Sequence, residues 1–418
     1  MAKESVSRRS FMKSAAIMAG GAVIMNQGEA QEQKKSFKVG LIGCGGRGKG
    51  AIRDSLSAGK ALGVEMKVVA LADAYQDRVD GAQKMLAKEG YEVPANRCFV
   101  GFDAYKKLVA TDVEVVVMAT PPAFRPWHLE AAIQAGKNVF MEKPVAVDPV
   151  GCRKVMEAGK LATQKKLGVV AGTQRRHSAN YIANQKLVAE GAIGKILSGQ
   201  VYWCMGRLWF RERKKEWDDA EYLIRNWVSF TEMSGDHICE QHVHNLDIAN
   251  WFLGSHPVAA AGFGGRARRQ TGDQFDFFSI DFEYPDGVHI QSMCRQVNGC
   301  WNRVGEHLVG EKGTTSCSGR INATPEVKMP KVKRTNAYMQ EHCDLLESII
   351  KGQPLMEAQN VAESTMAAVM GRISAYTGQM VKWDDMMKSD FHLKPTPEDF
   401  ETGKVVLPKE QPAVPGKA

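Results

Sequence analysis

Lys143 is the residue whose position in this sequence most directly suggests chemistry. It follows the apolar run Asn138–Met141, which predicts a strand, and it precedes Pro144. In an open sheet of parallel strands, ligands bind outside the carboxyl ends of the strands. A side chain at that edge is placed to exchange a proton with a bound ligand. We therefore predict an acid/base or substrate-orienting role for Lys143; the alternative is a surface lysine before a turn.

A second group of chemically capable side chains lies in the histidine-rich run 234–247. If a helix begins at Glu240, then Glu240 and His244 share one face, four residues apart, and flank one substrate hydroxyl. The alternative for His244 is a hydrogen-bonded core histidine. His237 and His242 are also of metal-ligand type, but the spacing matches no usual pattern such as H-E-x-x-H. We therefore predict no metal site.

A glycine-rich turn near the start of the chain predicts a dinucleotide site. The apolar run Phe37–Ile42 leads directly into residues 43–48, which read G-C-G-G-R-G. Gly43 permits a tight turn, Gly45 lets the backbone approach a pyrophosphate, and Gly48 lets the next helix pack on the strand. The N-terminus of that helix offers unpaired N–H groups and the positive end of its dipole to the phosphates.

Asp73 bears on the choice of cofactor. It ends a second predicted strand, Met66–Ala72, where a carboxylate accepts hydrogen bonds from the adenosine ribose hydroxyls. The same charge repels a 2′-phosphate, so the sequence favours NAD over NADP. Arg47 and Arg78 are the cations placed to moderate that preference.

The chain alternates strand-like and helical runs from Phe37 to about Val170, among them a helix predicted at Pro149–Gln164. This alternation predicts a doubly wound parallel sheet, the Rossmann arrangement. Beyond Asn180 the strands are longer, with a hairpin signal at Pro285–Gly287. These runs predict an α+β domain with an open, mostly antiparallel sheet, whose helix at 337–351 packs back on the first domain. The predicted boundaries are 31–172 for the first domain, 173–393 for the second, and 394–418 for an extended tail.

The composition bounds the class of protein. The chain has 418 residues and a formal charge of +8, enough length for about two domains. We read Lys and Arg as dispersed along the chain, which argues against a nucleic-acid surface. The nine cysteines include no C-x-x-C pair, so most are expected to be small core residues.

The first 30 residues resemble an export signal. Two arginines, Arg8 and Arg9, precede an apolar stretch from Ser14 to Met25, and a cleavage site is predicted after Ala30. The stretch is too short for an ordinary membrane-spanning helix; an amphipathic anchor is the alternative. We predict a periplasmic or otherwise exported protein that crosses the membrane folded, with no membrane insertion after the signal is removed.

Taken together, these motifs resemble the Gfo/Idh/MocA oxidoreductase family across nearly all of Phe37–Asp385. Members of that family bind NAD or NADP and oxidise or reduce a sugar or cyclitol carbon. They often pair through the open sheet, so the resemblance implies a homodimer or homotetramer. The pieces that carry the resemblance are the glycine turn, Ala119-Thr120-Pro121, Ala135–Val139, Glu142-Lys143-Pro144, Gln174-Arg175-Arg176 and Gly191-x-x-Gly194-x-Ile196.

The resemblance also implies site residues. Lys143 matches the family's lysine beside the nicotinamide, and His244 keeps the place of its usual acid/base. The chain departs from the family pattern at Glu240, where Asp is common, and at His242, where Gly is common. The predicted catalytic residues are Lys143, His244 and Glu240. The predicted cofactor-binding residues are Gly43, Gly45, Gly46, Arg47, Gly48, Asp73, Thr120, Pro121, His128, Glu142 and Lys143. The predicted substrate-binding residues are Lys143, Arg175, Arg176, Glu240 and His244. For the arginines, a structural ion pair is the alternative. Four tryptophans are either a stacking surface for a sugar ring or core residues: Trp203, Trp209, Trp227 and Trp301.

Three functions are consistent with this sequence. The first is an exported NAD-dependent oxidoreductase acting on a sugar or glycoside, with the cofactor tightly bound because free NAD is scarce outside the cytoplasm. The second is an NAD-dependent glycosidase like those of glycoside hydrolase family 109, which oxidise C3 transiently and eliminate the aglycone. The third, a non-enzymatic sugar-binding module, is disfavoured by the intact turn together with Asp73, Lys143 and His244.

Overall fold

The computed structural model describes residues 36–417, so the predicted signal at 1–30 lies outside the described residues. The first domain is a sheet of six parallel strands in the order β3-β2-β1-β4-β5-β6. The order reverses between β1 and β4, and the crevice at that point is where such sheets bind ligands. The predicted doubly wound sheet is confirmed. The strands are β1 (Ser36–Ile42), β2 (Glu65–Asp73), β3 (Cys98–Val100), β4 (Val115–Met118), β5 (Asn138–Met141) and β6 (Val169–Ala171).

Five helices cover this sheet. The first of these helices illustrates how they pack: Ala51, Ile52 and Leu56 recur at helical spacing and are buried against the strands. It ends at Gly63, whose left-handed φ of 69° suits glycine. The helices are α1 (Gly46–Leu62), α2 (Gln76–Lys88), α3 (Ala104–Val109), α4 (Arg125–Gln134) and α5 (Pro149–Gln164).

The second domain contains a sheet of eight strands in the order β13-β12-β11-β7-β10-β9-β8-β14. Only β7 and β10 pair in parallel, so the predicted, mostly antiparallel sheet is confirmed. Pro285–Gly287 forms the turn between β9 and β10, as predicted. The strands are β7 (Ile196–Met205), β8 (Ala259–Gly265), β9 (Phe277–Tyr284), β10 (Val288–Gln296), β11 (Arg303–Gly310), β12 (Gly313–Thr315), β13 (Ile321–Ala323) and β14 (Val381–Lys382).

Helices of the second domain join the two sheets. The predicted docking of residues 337–351 on the first domain is confirmed, because Cys343, Leu345 and Leu346 are buried in the same apolar cluster as β1 and α1. The helices are α6 (Ala179–Ala189), α7 (Asp219–Arg225), α8 (Thr231–Ser234), α9 (His237–Glu240), α10 (Val243–Leu253), α11 (Ala337–Ile350), α12 (Ala358–Thr377) and α13 (Trp383–Met386).

The sequence predicted an extended C-terminal tail, and this prediction is wrong in part. The tail contains a short helix, α14 (Pro397–Glu401), which begins with a capping box at Thr396. Phe400 is buried between Phe102 and Phe124, with ring centroids 5.1 Å from each. The tail therefore packs onto loops at the ligand-binding edge of the first sheet.

Two further expectations concern the whole described chain. All nine cysteines are unpaired, and seven of them are buried, in keeping with small core residues. Within residues 36–417, no helix combines the length and the apolar character that a membrane crossing requires.

Candidate active site

The turn between β1 and α1 has the backbone geometry that a dinucleotide needs. Gly43 has φ of +92°, and an added Cβ would lie 2.7 Å from the backbone of Ala119. At Gly48 an added Cβ would lie 1.8 Å from the Gly43 carbonyl oxygen, so only glycine lets α1 approach the turn. Gly45 and Gly46 have nothing within 4 Å, which leaves the helix N-terminus open to a pyrophosphate.

Asp73 is fixed at the end of β2 beside this turn. Its Oδ2 accepts a hydrogen bond from the Cys44 N–H at 2.7 Å, and its Oδ1 accepts one from the Tyr75 N–H at 3.1 Å. Burial raises the pKa of Asp73, although both N–H groups oppose the shift. The side chain lines the cavity described next, where its remaining lone pairs can meet ribose hydroxyls.

A cavity of about 390 Å³ lies against the turn, and residues of both domains line it. The first domain contributes Gly45, Asp73 and the β4–α4 loop with Thr120 and Pro121. These groups fit an NAD molecule, because they supply the turn, the ribose acceptor and the floor of the sheet's crevice. The second domain contributes Trp209, Arg211, Ile224, Arg225 and Trp227.

Arg225 fastens the second-domain wall of this cavity to the first domain. Its guanidinium forms two hydrogen bonds with the Asp77 carboxylate, at 2.8 and 3.0 Å. It also lies over the Tyr75 ring, 4.7 Å from the centroid. The Arg225 side chain is 14% exposed but that of Asp77 is 58% exposed, so the ion pair is partly open to water.

We expect Arg225→Ala to speed the release of NADH about tenfold, because an ion pair and a cation–π contact of about 1–2 kcal/mol together would be lost. The rate is measured by stopped-flow fluorescence with excess unlabelled NAD as the trap. The control is Arg213→Ala, since Arg213 forms an exposed ion pair with Asp219 in the same segment. Equal release rates in the two variants would show that Arg225 does not close the cavity.

Lys143 and Glu240 bring the two domains together where β5 ends. The Lys143 ammonium donates to the Glu240 carbonyl oxygen, and its Nζ lies 3.3 Å from Glu240 Oε1. Their side chains are 13% and 12% exposed. Because β5 neighbours β4, whose following loop lines the cofactor cavity, the pair lies at the same edge of the sheet. Glu142, Lys143 and Glu240 are not among the residues that line the cavity.

His244 lies on α10, in the same part of the molecule. It is 6% exposed, and its ring is stacked on Trp203 with centroids 5.7 Å apart. Neither ring nitrogen has a hydrogen-bond partner among the described residues, and Nδ1 is fully buried. Burial and the positive charges of Lys143 and Arg175 hold the pKa of His244 well below its usual range. The imidazole is therefore neutral at pH 7 and able to accept a proton.

Of the two predicted substrate arginines, Arg175 lies nearer this cluster. It pairs with Glu306 and lies over the Trp203 ring at 5.6 Å. Glu306 also accepts hydrogen bonds from Tyr181 at 3.1 Å and from the Asn245 side chain at 2.6 Å. This network holds Arg175 beside His244, whose pKa it helps to lower.

Arg176 is differently placed. Its guanidinium forms two hydrogen bonds with Asp247, at 2.8 and 2.9 Å, and Ser364 also donates to that carboxylate. The arrangement is the structural ion pair that the sequence had left as the alternative to sugar binding. A contact between Arg176 and substrate stays a prediction, and this geometry does not support it.

Arg47 and Glu142, both predicted to bind the cofactor, form an ion pair with one another. The pair links the glycine turn to the residue that precedes Lys143. Arg47 also lies 3.6 Å from Glu341 of α11, and burial together with Glu142 raises the pKa of Glu341 well above its usual range. Arg47 still lines the cavity, and its charge is shared with these carboxylates.

The three other histidines considered for the site fall into two groups. His128 lies on the cofactor cavity, where its Nδ1 is 3.2 Å from the Thr120 hydroxyl, and burial and Arg125 lower its pKa to about 3. His237 bonds Asp236 at 2.9 Å, and His242 bonds Ser292 at 2.7 Å, both in the core. Across residues 36–417, no group of three His, Cys, Asp or Glu side chains is arranged to hold a metal ion.

Comparison with protein families decides the identity of both domains. Residues 37–171 match the model described as oxidoreductase family, NAD-binding Rossmann fold, of the Gfo/Idh/MocA proteins. Residues 181–316 match the model of a Gfo/Idh/MocA C-terminal domain. This chain belongs to the Gfo/Idh/MocA family. Its first domain is an NAD-binding Rossmann domain, as the sequence had predicted.

Curated relatives of this Gfo/Idh/MocA protein include oxidoreductases and hydratases. It is 24% identical to inositol 2-dehydrogenase of Rhizobium meliloti over 79% of this chain and 94% of that protein. It is 29% identical to 2,7-anhydro-N-acetylneuraminate hydratase of Mediterraneibacter gnavus over 42% of this chain and 43% of that protein. An uncharacterized oxidoreductase of Streptococcus pneumoniae is 28% identical over 51% of this chain, and the alignment spans 56% of its own length.

Solved structures share the fold of this Gfo/Idh/MocA chain. Levoglucosan dehydrogenase, in complex with NADH and levoglucosan, superposes with a TM-score of 0.64 at 16% identity, covering 83% of this chain and 99% of that one. A myo-inositol dehydrogenase from Sinorhizobium meliloti has a TM-score of 0.59 at 20% identity, with the same coverage. At these identities the likeness concerns the fold.

Sequence reasoning missed the second-domain wall of the cavity. Trp209 and Trp227 were weighed only as a sugar-stacking surface or as core residues, whereas both line the cofactor cavity. Nothing local in the sequence places them there, because the segment has to cross from one domain to the other. Trp203, in contrast, does lie beside His244.

Proposed function

We propose that this protein is an exported, NAD-dependent oxidoreductase that acts on a hydroxyl group of a sugar or glycoside. One observation carries the proposal: Lys143 and Glu240, from different domains, meet near His244 at the sheet edge where the glycine turn and Asp73 also lie. An acid/base cluster at that edge is what the oxidation of an alcohol requires.

The protein's residues have distinct tasks in this reaction. The oxidised carbon loses a hydride and its hydroxyl loses a proton; NAD supplies the hydride acceptor when bound. His244, neutral at pH 7, accepts the hydroxyl proton. Lys143 donates a hydrogen bond to the same oxygen, and Glu240 holds the Lys143 side chain in place. In the reverse direction His244 returns the proton to the carbonyl oxygen.

The surroundings of His244 favour a substrate with many hydroxyl groups. Trp203 offers an aromatic surface beside the cluster, and Arg175, Glu306 and Tyr181 add charged and hydroxyl groups. Aromatic rings with adjoining hydrogen-bonding groups suit the flat, apolar side of a sugar ring and its hydroxyls. Relatives named for inositol and levoglucosan support a cyclic polyol or sugar substrate.

The proposed export affects how the protein acquires and regenerates its cofactor. The twin-arginine signal at 1–30 is the basis for a periplasmic location, and the cofactor then has to enter the folded protein before export. The Arg225 contact over the cavity supports a tightly held NAD. A second substrate with a carbonyl group would then take the hydride and regenerate NAD in place.

The proposed assembly is a homodimer or homotetramer formed through the open sheet. Strands of that sheet expose large apolar side chains, which soluble monomers seldom leave in water as a group. Among these side chains are Leu197, Phe263 and Val304, exposed by 49%, 67% and 47%.

The test is mass spectrometry of products after incubation of the folded protein with p-nitrophenyl glycosides, with the co-purified cofactor identified in parallel. A glycoside lighter by two hydrogens, with NADH formed in equal amount, supports the proposal. The Lys143→Ala variant serves as the blank for any contaminating dehydrogenase. Absence of oxidised product across neutral and acidic glycosides, with NAD bound, would refute it.

The alternative is a glycosidase that oxidises C3 transiently, eliminates the aglycone and restores the hydride. A relative named as a hydratase supports keeping it, since hydration involves no net redox change. The same experiment separates the two: free p-nitrophenol, an unoxidised sugar and no net change in NAD would favour the glycosidase.

A further inference from the structure

A basic cleft lies on the second domain, apart from the cofactor cavity. It has a volume of about 1020 Å³, at the upper end of the range that holds whole small ligands. The strand β13, the loop before it and the segment that follows it form its walls. The cations that line it are Lys312, Arg320, Lys328 and Arg334, and its one lining carboxylate is Glu326.

Positive charge is concentrated in this cleft, although we had read the cations as dispersed along the chain. Residues 312–334 contain six Lys or Arg and a single carboxylate, Glu326, while the whole chain has a formal charge of +8. Four of the six cations line the cleft. None of the six cations forms an ion pair with a described residue, whereas many other Lys and Arg side chains do. An uncompensated group of cations of this size attracts an anionic ligand.

The cleft shares a wall with the candidate active site. Asn180 lines the cleft, and the next residue, Tyr181, hydrogen-bonds Glu306 and lies beneath the Arg175 guanidinium. Ser318, which also lines the cleft, opposes the rise in the pKa of the Tyr181 hydroxyl. Tyr181 therefore stands between the candidate active site and the basic cleft.

We propose that this cleft binds an acidic sugar unit, carrying a carboxylate or a sulfate, of the glycoside oxidised at the candidate active site. The inference deepens the proposed function and rests on it. Asparagine, serine and threonine side chains lie among the cations, as recognition of sugar hydroxyls requires. No Phe, Tyr or Trp lines the cleft, so it lacks the stacking surface on which single-stranded nucleic acids are held.

The test measures binding without turnover, by calorimetry on the full NAD-loaded protein. The probes are tri-galacturonate, a sulfated trisaccharide and the neutral maltotriose. The cleft variant is Arg320→Gln/Lys328→Gln/Arg334→Gln. The control is Lys60→Gln/Lys84→Gln/Lys160→Gln, which removes three exposed lysines from the first domain. We expect at least one acidic probe to bind the native protein more tightly than maltotriose does. The affinity for that probe should fall about tenfold or more in the cleft variant and stay unchanged in the control.

Binding of the acidic probe should also weaken between 50 and 200 mM salt, because exposed charges are screened. The inference is overturned if neither acidic probe binds, if both variants bind it equally, or if an oligothymidylate or an anionic vesicle competes at equal concentration. Oxidation of neutral glycosides together with no acidic binding would overturn this inference alone. Acidic binding without oxidation of any glycoside would overturn the proposed function instead.

Discussion

Lys143→Ala is expected to lower kcat by roughly 10²-fold or more while NAD stays bound. The lysine is the group placed to donate a hydrogen bond to the reacting oxygen, and its partner Glu240 holds it there. The loss should appear in kcat and kcat/KM alike, since the contact strengthens as the oxygen gains charge. Steady-state kinetics measure it, and NADH fluorescence checks that the cofactor is retained.

The matched control is Lys154→Ala. Lys154 also pairs with a glutamate, Glu130, at 2.8 Å, but on a helix surface away from the cavity. Small alkylamines added to Lys143→Ala should restore part of the rate, because they occupy the space that the side chain leaves. Unchanged turnover in Lys143→Ala would remove this lysine from the mechanism.

Much of the fold was predictable because its signals are local. The strand Asn138–Met141 and the helix Pro149–Gln164 are predicted at the bounds that the structure gives. The strand is an uninterrupted apolar run, and the helix begins with Asp148, whose carboxylate accepts from the Gly151 N–H. Elsewhere the bounds move slightly: the strand predicted at Met66–Ala72 spans Glu65–Asp73.

Contacts between distant residues were not predictable in the same way. Arg47 was assigned to the cofactor, and its pairing with Glu142, 95 residues further on, has no local signal. The docking of Phe400 near the cofactor cavity likewise depends on the path of the tail across the first domain. Only the folded chain brings such residues together, so the sequence identified candidate groups and left their partners open.

The catalytic cluster was predictable in part, because it depends on both local signals and contacts between distant residues. Glu240 and His244 were expected on one helix face, but the structure ends α9 at Glu240 and begins α10 at Val243. The two residues still reach the same site, because Lys143 contacts Glu240 directly and its charge acts on His244. The sequence therefore grouped Glu240 and His244 as the structure does, but it placed them on one helix where the structure has two.

His244→Asn is expected to lower kcat by about 10²- to 10⁴-fold, because it removes the proposed base while leaving a side chain of similar polarity. The base has to be deprotonated to act, and its pKa is held well below 6.5 by burial and by Lys143. The rate of the native protein should therefore stay flat from pH 8 to below pH 6.5, and fall only as pH passes the lowered pKa. His289→Asn, on an exposed histidine paired with Asp281, is the control.

The same electrostatic coupling links the two predictions. Removing the positive charge of Lys143 lets the pKa of His244 rise, so the acid limb of the residual activity in Lys143→Ala should move upward toward pH 6.5. This rise in the pKa of His244 is required if Lys143 and His244 act on the same substrate hydroxyl. An acid limb at the same pH in native and Lys143→Ala protein would show that His244 is not the base, even if each substitution alone reduced the rate.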